Sequence, residues 1–338
     1  MKILFIGGTG TISMAISKAL LERGDELYLL NRGHRNQGLP SGAKEIRADI
    51  GDEARVSELT ADLQFDVVAD FIAFVPDQLE RDYRLFQDKT KQFIFISSAS
   101  AYQTPLSDYR ITEGTPLSNP RWEYSRNKIA CEEYLMKLYR ENGFPVTIVR
   151  PSHTYDDRSV PLGVHGEKGS WQVIKRMQEG KKVIIHGDGT SLWTMTHNTD
   201  FARGFIGLLG NIHAIGEAVQ ITSDETLTWN QIYQAIADAL GVKLNAAHVS
   251  SEFLDAASGQ DFNGSLLGDK ANSVVFDNLK LKRLVPEFTA VKRFDRGVRE
   301  TIQNILNHPE YQREDKEFDE WCDKVIAALE MAVQDIIK

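Results

Sequence analysis

Short, densely apolar runs alternate with longer stretches in which apolar positions recur every three to four residues. The runs "KILFIG", "ELYLLN", "KEIRAD", "DVVADFI", "QFIFISS" and "VTIVRP" are rich in β-branched and aromatic residues and read as strands. The segments between the first two, after the fourth and after the fifth have helical length and period. That alternation predicts an α/β protein with a doubly wound parallel sheet and helices on both faces. Near residue 151 the rhythm changes: Pro151, Pro161, Gly163, Gly166 and Gly169 mark loops, and less regular α+β sequence follows. Residues 1–160 are therefore expected to form one domain. Residues 161–338 are expected to form mainly a second, smaller one, with some segments packing back on the first. The final stretch, "DKEFDEWCDKVIAALEMAVQDIIK", reads as an amphipathic helix used for packing.

The first strand runs into Gly7, Gly8, Thr9 and Gly10, and a helical pattern starts at once with Thr11, Ile12 and small Ser13. Glycines there let a ligand approach the backbone, and the following helix presents free N–H groups and a positive dipole end to a pyrophosphate. Strand, glycine loop, helix and second strand in this order predict a Rossmann-type NAD(P)-binding domain, leaving the second domain to bind substrate. The end of the second strand selects the cofactor. An acidic residue there would bond the adenosine ribose, whereas this chain has Asn31, Arg32, Gly33, His34 and Arg35. No carboxylate repels a 2′-phosphate and Arg32 offers a bidentate partner, so NADP is preferred over NAD; the alternative is NAD held through Asn31 beside a solvated basic loop. Asp49 and Ile50, after the third strand, are expected to flank the adenine.

Composition narrows the possibilities. A net charge of −9 over 338 residues repels nucleic-acid backbones and makes such a partner unlikely to be the main one. Two cysteines, Cys131 and Cys322, give no disulfide framework, which suits a reducing cytoplasm. No stretch approaches the roughly 20 apolar residues that span a bilayer. The eight histidines include no pair at zinc-ligand helical spacing, and no G-x-S-x-G elbow occurs, so neither a metal site nor a serine-hydrolase site is expected.

Chemistry in such a sheet sits at the carboxyl ends of later strands. The fifth ends in Ser97, Ser98, Ala99 and Ser100. Farther on, Tyr124 and Lys128 lie four apart on one helix face, and Tyr124 alone among ten tyrosines has lysine at that spacing. Together "GGTGTIS", "FIFISSASAYQ", "YSRNK", "VRPSHTY" and "HGDGTSLWTMTHNTDFARGF" resemble, in order, motifs of the extended short-chain dehydrogenase/reductase superfamily, specifically its NAD-dependent epimerase/dehydratase family, over residues 1 to about 285. The resemblance implies that Ser98 is the catalytic serine, Tyr124 the acid/base and Lys128 its partner. Gly7, Gly10, Thr11, Ile12, Asn31, Arg32, Asp49, Ile50, Tyr124, Lys128, Pro151 and His153 would then contact cofactor. A phenol with its ordinary pKa near 10 is a poor base at neutral pH, and Lys128 together with an oxidised nicotinamide would favour its phenolate.

Departures from the family pattern bear on substrate. Ser13 replaces the third glycine and is expected to loosen helix packing. Ala99 and Ser100 stand where the family's dehydratases carry Asp-Glu, which disfavours dehydration. Trp193 stands where nucleotide-sugar epimerases carry an arginine for the diphosphate; an indole can stack on a sugar face or simply fill the interior. Ser100 and Trp193 are thus the candidate substrate residues. The implied activity is NAD(P)-dependent dehydrogenase/reductase or epimerase chemistry at a carbinol or carbonyl carbon of a sugar-like molecule. Two alternatives stay open: a redox-neutral epimerase that retains its cofactor, and a non-catalytic NADP- or RNA-binding protein on the same fold. The resemblance also implies a homodimer paired through helices near residues 76–90 and 122–142.

Overall fold

The computed structural model describes residues 1–33 and 39–338; His34 and Arg35 of the expected cofactor-selecting loop lie outside the described residues. All six expected strands form: Lys2–Ile6 (β1), Glu26–Asn31 (β2), Lys44–Arg47 (β3), Val67–Asp70 (β4), Phe93–Ile96 (β5) and Val146–Pro151. They join one parallel sheet with a seventh strand, Ala218–Ile221, which comes from the second half of the chain and pairs with Val146–Pro151 at the edge. The order is Ala218–Ile221, Val146–Pro151, β5, β4, β1, β2, β3. The chain winds outward from β1 to β3 and then crosses back to β4, so the sheet reverses direction beside β1 and opens a crevice at its carboxyl end.

Ile3 and Phe5 pack on one face with Leu27, Leu29, Val67 and Ile94, under Ile16 and Leu20 of the helix Thr11–Glu22 (α1) and Phe201 and Phe205 of the helix Asn198–Leu208. Leu4 and Ile6 pack on the other with Leu30, Val68 and Phe95. Val56 of Glu53–Leu59 (α2), Leu79 and Phe86 of Pro76–Phe86 (α3), and Cys131 and Leu135 of Glu123–Asn142 (α4) cover that face. Burial on both faces is why these strands read as unbroken apolar runs. Another core gathers around Trp193, Trp229 and Phe294, and the expected C-terminal helix, Lys316–Ile337, packs Phe318, Cys322, Val325 and Ile326 into it. Cys131 and Cys322 are both free and buried.

Strand ends are set by side chains. The pattern "DVVADFI" suggested a run to Ile72, but β4 stops at Asp70, whose Oδ1 accepts the backbone N–H groups of Ile72 (2.6 Å) and Ala73 (3.0 Å) and turns the chain. A buried ion pair ties α4 to the sheet. The Arg150 guanidinium donates to Glu132 through Nε at 3.0 Å and Nη2 at 2.5 Å, Ser97 Oγ donates to the same carboxylate, and the guanidinium lies 4.9 Å from the Tyr102 ring centre. Removing one partner strands the other charge in the interior. Glu132→Ala is therefore expected to destabilise the fold by about 3–5 kcal/mol, read as a lower urea midpoint at neutral pH.

Candidate active site

The glycine loop closes the crevice beside β1. Gly7 has φ +83°, and a Cβ there would lie 2.3 Å from Ile72 Cγ2; one on Gly8 would lie 2.4 Å from Leu29 Cδ2. Only glycine fits such a close approach. Ser13 does not loosen the helix as expected. It is buried, its Oγ accepts the Gly10 N–H at 2.9 Å and donates to the Gly7 carbonyl at 3.3 Å, and so ties the loop to the first turn of α1. Gly7, Gly10, Thr11 and Ile12 line a cleft of about 730 Å³ that continues past Asn31, Arg32, Asp49 and Ile50. A cleft at a helix N-terminus, with a cradle that any Cβ would fill, fits a dinucleotide.

Asn31 does not extend into the cleft as a free amide: its Oδ1 accepts the Gly33 N–H at 2.9 Å. Arg32 is 67% exposed and lies 3.9 Å from Asp49, itself 58% exposed, so the pair is loose. The Arg47 guanidinium packs against Gly33, adding a second positive group at this end. Arg158, which no sequence signal singled out, donates to Thr11 Oγ1 at 3.2 Å while Asp156 accepts from its Nη2 at 2.5 Å. This places a guanidinium at the mouth of the glycine loop.

The other end of the cleft, at Phe74 and Ile96, adjoins a pocket of about 270 Å³ that gathers Ser98, Ser100, Tyr124, Pro151, His153 and Trp193. Residues separated by up to 95 positions thus meet in one cavity. Ser98 Oγ lies 2.9 Å from Ser100 Oγ, which also accepts from Ser125 Oγ at 2.8 Å, and Ser98 accepts the Ser100 N–H at 3.2 Å. Ser98 therefore caps the turn Ala99–Ala101 while presenting its hydroxyl to the pocket. Pro151 and His153, expected beside the cofactor, line this smaller pocket. Trp193 also lines it, yet is only 5% exposed and lies 5.8 Å from the Trp229 ring, so most of the indole is packing.

Lys128 is buried beneath the pocket. Its Nζ donates to the carbonyls of Ala73 and Ile96, each at 2.8 Å, and sits 4.6 Å from the Phe74 ring centre and 5.8 Å from that of Tyr124. Burial pulls the ammonium down to about 8, against the pull of the Asp70 carboxylate. The Tyr124 phenol is raised above its ordinary value, first by burial; a hydrogen bond with Ser98 opposes this and the charge of Asp269 adds to it. His153 is pushed down to about 3 by burial and by the charges of Lys270 and His165, and so stays neutral at physiological pH.

Asp269, Lys270 and Trp122 also line the pocket and were not singled out from sequence. Lys270 Nζ lies 3.6 Å from Asp269, and its carbonyl accepts from His186, Ser191 and Trp229, anchoring the turn Asn263–Lys270. Asn119 Nδ2 binds that turn through the Gly268 carbonyl (2.8 Å) and the catalytic loop through the Ser100 carbonyl (3.2 Å). Burial raises the Asp269 carboxyl to about 6. Among the described residues, no group of three or more His, Cys, Asp or Glu is placed to hold a metal ion, and no helix is long and apolar enough to cross a membrane.

Residues 3–222 match the profile of the NAD dependent epimerase/dehydratase family. The chain is 24% identical over 289 residues to 2'-dehydrokanamycin reductase of Streptomyces kanamyceticus, covering 85% of this chain and 80% of the relative. It is 26% identical over 253 residues to the chloroplast stem-loop binding protein of 41 kDa b of Arabidopsis thaliana, covering 71% of this chain and 63% of that one. UDP-glucuronic acid 4-epimerase from Bacillus cereus, solved with UDP-glucuronic acid and NAD, superposes with a TM-score of 0.73 at 21% identity, covering 91% of this chain and 99% of the other. Gly7→Ala, which forces a side chain into a left-handed backbone costing about 1–2 kcal/mol, is expected to weaken nicotinamide-cofactor binding roughly tenfold or more in a fluorescence titration.

Proposed function

The chain belongs to the NAD dependent epimerase/dehydratase family and is a nicotinamide-dependent enzyme; from that premise we propose that it moves hydride at a carbinol or carbonyl carbon of a compact sugar or sugar-derived molecule, with Tyr124 as acid/base, Ser98 holding the reacting oxygen and Lys128 as the cation behind them. The observation that carries this reading is the meeting of Ser98 and Tyr124 in one pocket that adjoins the cleft of the glycine loop. The nicotinamide, when bound, supplies the hydride donor or acceptor and, when oxidised, a positive charge. Tyr124 exchanges the proton of the reacting oxygen, and Ser98, lining the same pocket, orients that oxygen.

Compactness of the substrate rests on size and charge. The pocket holds about 270 Å³, and Lys270 is the only Lys or Arg among its described lining residues, with Asp269 beside it. Nothing else there neutralises a diphosphate. Trp122 and Trp193 supply apolar faces for a sugar ring. A relative named as a reductase of 2'-dehydrokanamycin, matched over four-fifths of its length, fits this better than a nucleotide-linked substrate does. The protein is read as a cytoplasmic homodimer paired through α3 and α4, whose half-buried Tyr83 and Tyr134 lie close together.

Screening free sugars, their oxidised forms and UDP-glucose for nicotinamide-dependent turnover tests the proposal. Tyr124→Phe is expected to lower turnover of the accepted substrate roughly 100- to 10,000-fold while leaving the cofactor Kd nearly unchanged. Near-wild-type turnover would remove Tyr124 from the chemistry.

Cofactor choice is proposed to favour NADP over NAD. Arg32 is exposed and only loosely engaged by Asp49, Arg47 stands nearby, and Asn31 supplies no carboxylate against a 2′-phosphate. A charge-assisted bond at an exposed rim is worth about 1 kcal/mol, several-fold to tenfold in affinity. Arg32→Ala is expected to erase most of that preference and to leave NAD affinity nearly unchanged, as read by titrating both cofactors into both proteins. A wild type that prefers NAD would overturn it.

A further inference from the structure

Next to Ile72 and Arg81, which line the cofactor cleft, two buried carboxyl groups have no part in hydride transfer. Asp70 ends β4 and Asp82 lies on α3, and both are fully buried. Asp70 Oδ1 accepts the N–H groups of Ile72 and Ala73, and Asp82 Oδ1 accepts from Arg81 Nε at 2.8 Å. Their second oxygens, Oδ2 in each case, are buried and receive no donor from any described residue, and the two carboxyl groups lie close enough that Asp70 holds Asp82 up. Two ionised carboxylates only accept, and side by side in the interior they repel. A proton on one of them would turn it into a donor to the other.

We propose that Asp70 and Asp82 share a single proton and act as a positioning pair for the segment 71–74, and through it for the glycine loop, Lys128 and Tyr124. Every side of that segment touches the site. Ile72 packs against Gly7, the Ala73 carbonyl accepts from Lys128 Nζ, and the Phe74 ring lies beside both Lys128 and Tyr124, 6.2 Å from the latter's ring. The charged and titratable groups facing the pair are Arg81 from α3 and Lys128, Cys131 and Glu132 from α4; Glu132 is held by Arg150, and burial keeps Cys131 a neutral thiol. With one shared proton the pair carries a single negative charge between two cations. With two protons it would leave Lys128 without its counter-charge, and with none it would break the bond between α3 and β4.

The pair also predicts a pH dependence. Burial, and then Asp70, hold the Asp82 carboxyl well above its ordinary 3.8, so the folded protein keeps a proton that the unfolded chain releases. Stability from this site is greatest below 3.8 and declines as pH rises above it.

The test uses the full chain and needs no substrate. An infrared spectrum at neutral pH should show a protonated-carboxyl carbonyl band, shifted in D2O, that diminishes in both Asp82→Asn and Asp70→Asn; no change in either variant overturns the shared proton. Between pH 4 and 7 the melting temperature of wild type should fall relative to Asp82→Asn, whose amide donates without titrating; parallel curves overturn it. Asp82→Asn should also keep affinity for whichever of NADH and NADPH the wild type binds more tightly within about threefold, whereas Asp82→Leu, with no donor, should lose tenfold or more. Equal losses in both would mean a packing role only and overturn the positioning role. The link to Tyr124 rests on the proposed function above, but none of these readouts does, so the two readings fail separately.

Discussion

The arrangement depends on where one buried ammonium finds its acceptors. Lys128 reaches from α4 under the pocket and donates to the Ala73 carbonyl, beyond the end of β4, and to the Ile96 carbonyl, at the last residue of β5. A charge in that position requires fixed partners, since an unpaired buried cation costs several kcal/mol. The requirement joins the ends of β4 and β5 to α4 and therefore sets the distance between the cofactor cleft and Tyr124. It also explains the unusual crowding of rings: Phe74, Phe95 and Tyr124 all lie within 6 Å of the ammonium, excluding water while offering it their π faces.

That single cation cannot by itself prepare the phenol. Two of its three N–H donors go to carbonyls, and burial raises Tyr124 while lowering Lys128 to about 8, so their proton affinities move apart. A phenol so raised needs a further positive charge beside it before it gives up its proton near neutral pH. Lys128 is thus better described as setting the local potential than as a hydrogen-bond partner of Tyr124. The Glu132 carboxylate, paired with Arg150 close by on α4 and the adjoining strand, pulls the ammonium upward behind Asp70 and Cys131.

Sheet and cofactor loop were legible because their constraints are local. Apolar runs of four to six residues buried on both faces leave an unmistakable pattern, and the glycine loop announces itself within seven residues. The edge strand Ala218–Ile221 was not legible as part of this sheet, since its partner lies some 70 positions away and nothing in "AVQI" says which sheet it completes. Ser98, Tyr124 and Lys128 were found through spacing and resemblance. Asp269 and Lys270 were not: a short π-helical segment held by His186, Ser191, Trp229 and Asn119 carries them in, and that set of donors is visible only in three dimensions. Ser13 misled for the opposite reason. Read as a bulkier glycine it should have loosened the helix, whereas its hydroxyl supplies two hydrogen bonds that a glycine lacks.

Substrate choice follows from the same contrast between local and assembled features. Trp193 drew attention as a replaced residue, yet its indole is largely consumed by packing on Trp229, with its Nε1 buried and unpaired. What faces the reacting centre is the Asp269–Lys270 pair, with the neutral imidazole of His153. A pocket in which the one cation is matched by the one carboxylate has almost no net field above pH 6, and partial protonation of Asp269 below that would leave Lys270 unmatched. On the function proposed above, an uncharged polyhydroxylated ring would find both a donor and an acceptor there, and a charge balance rather than any single residue type would carry the specificity.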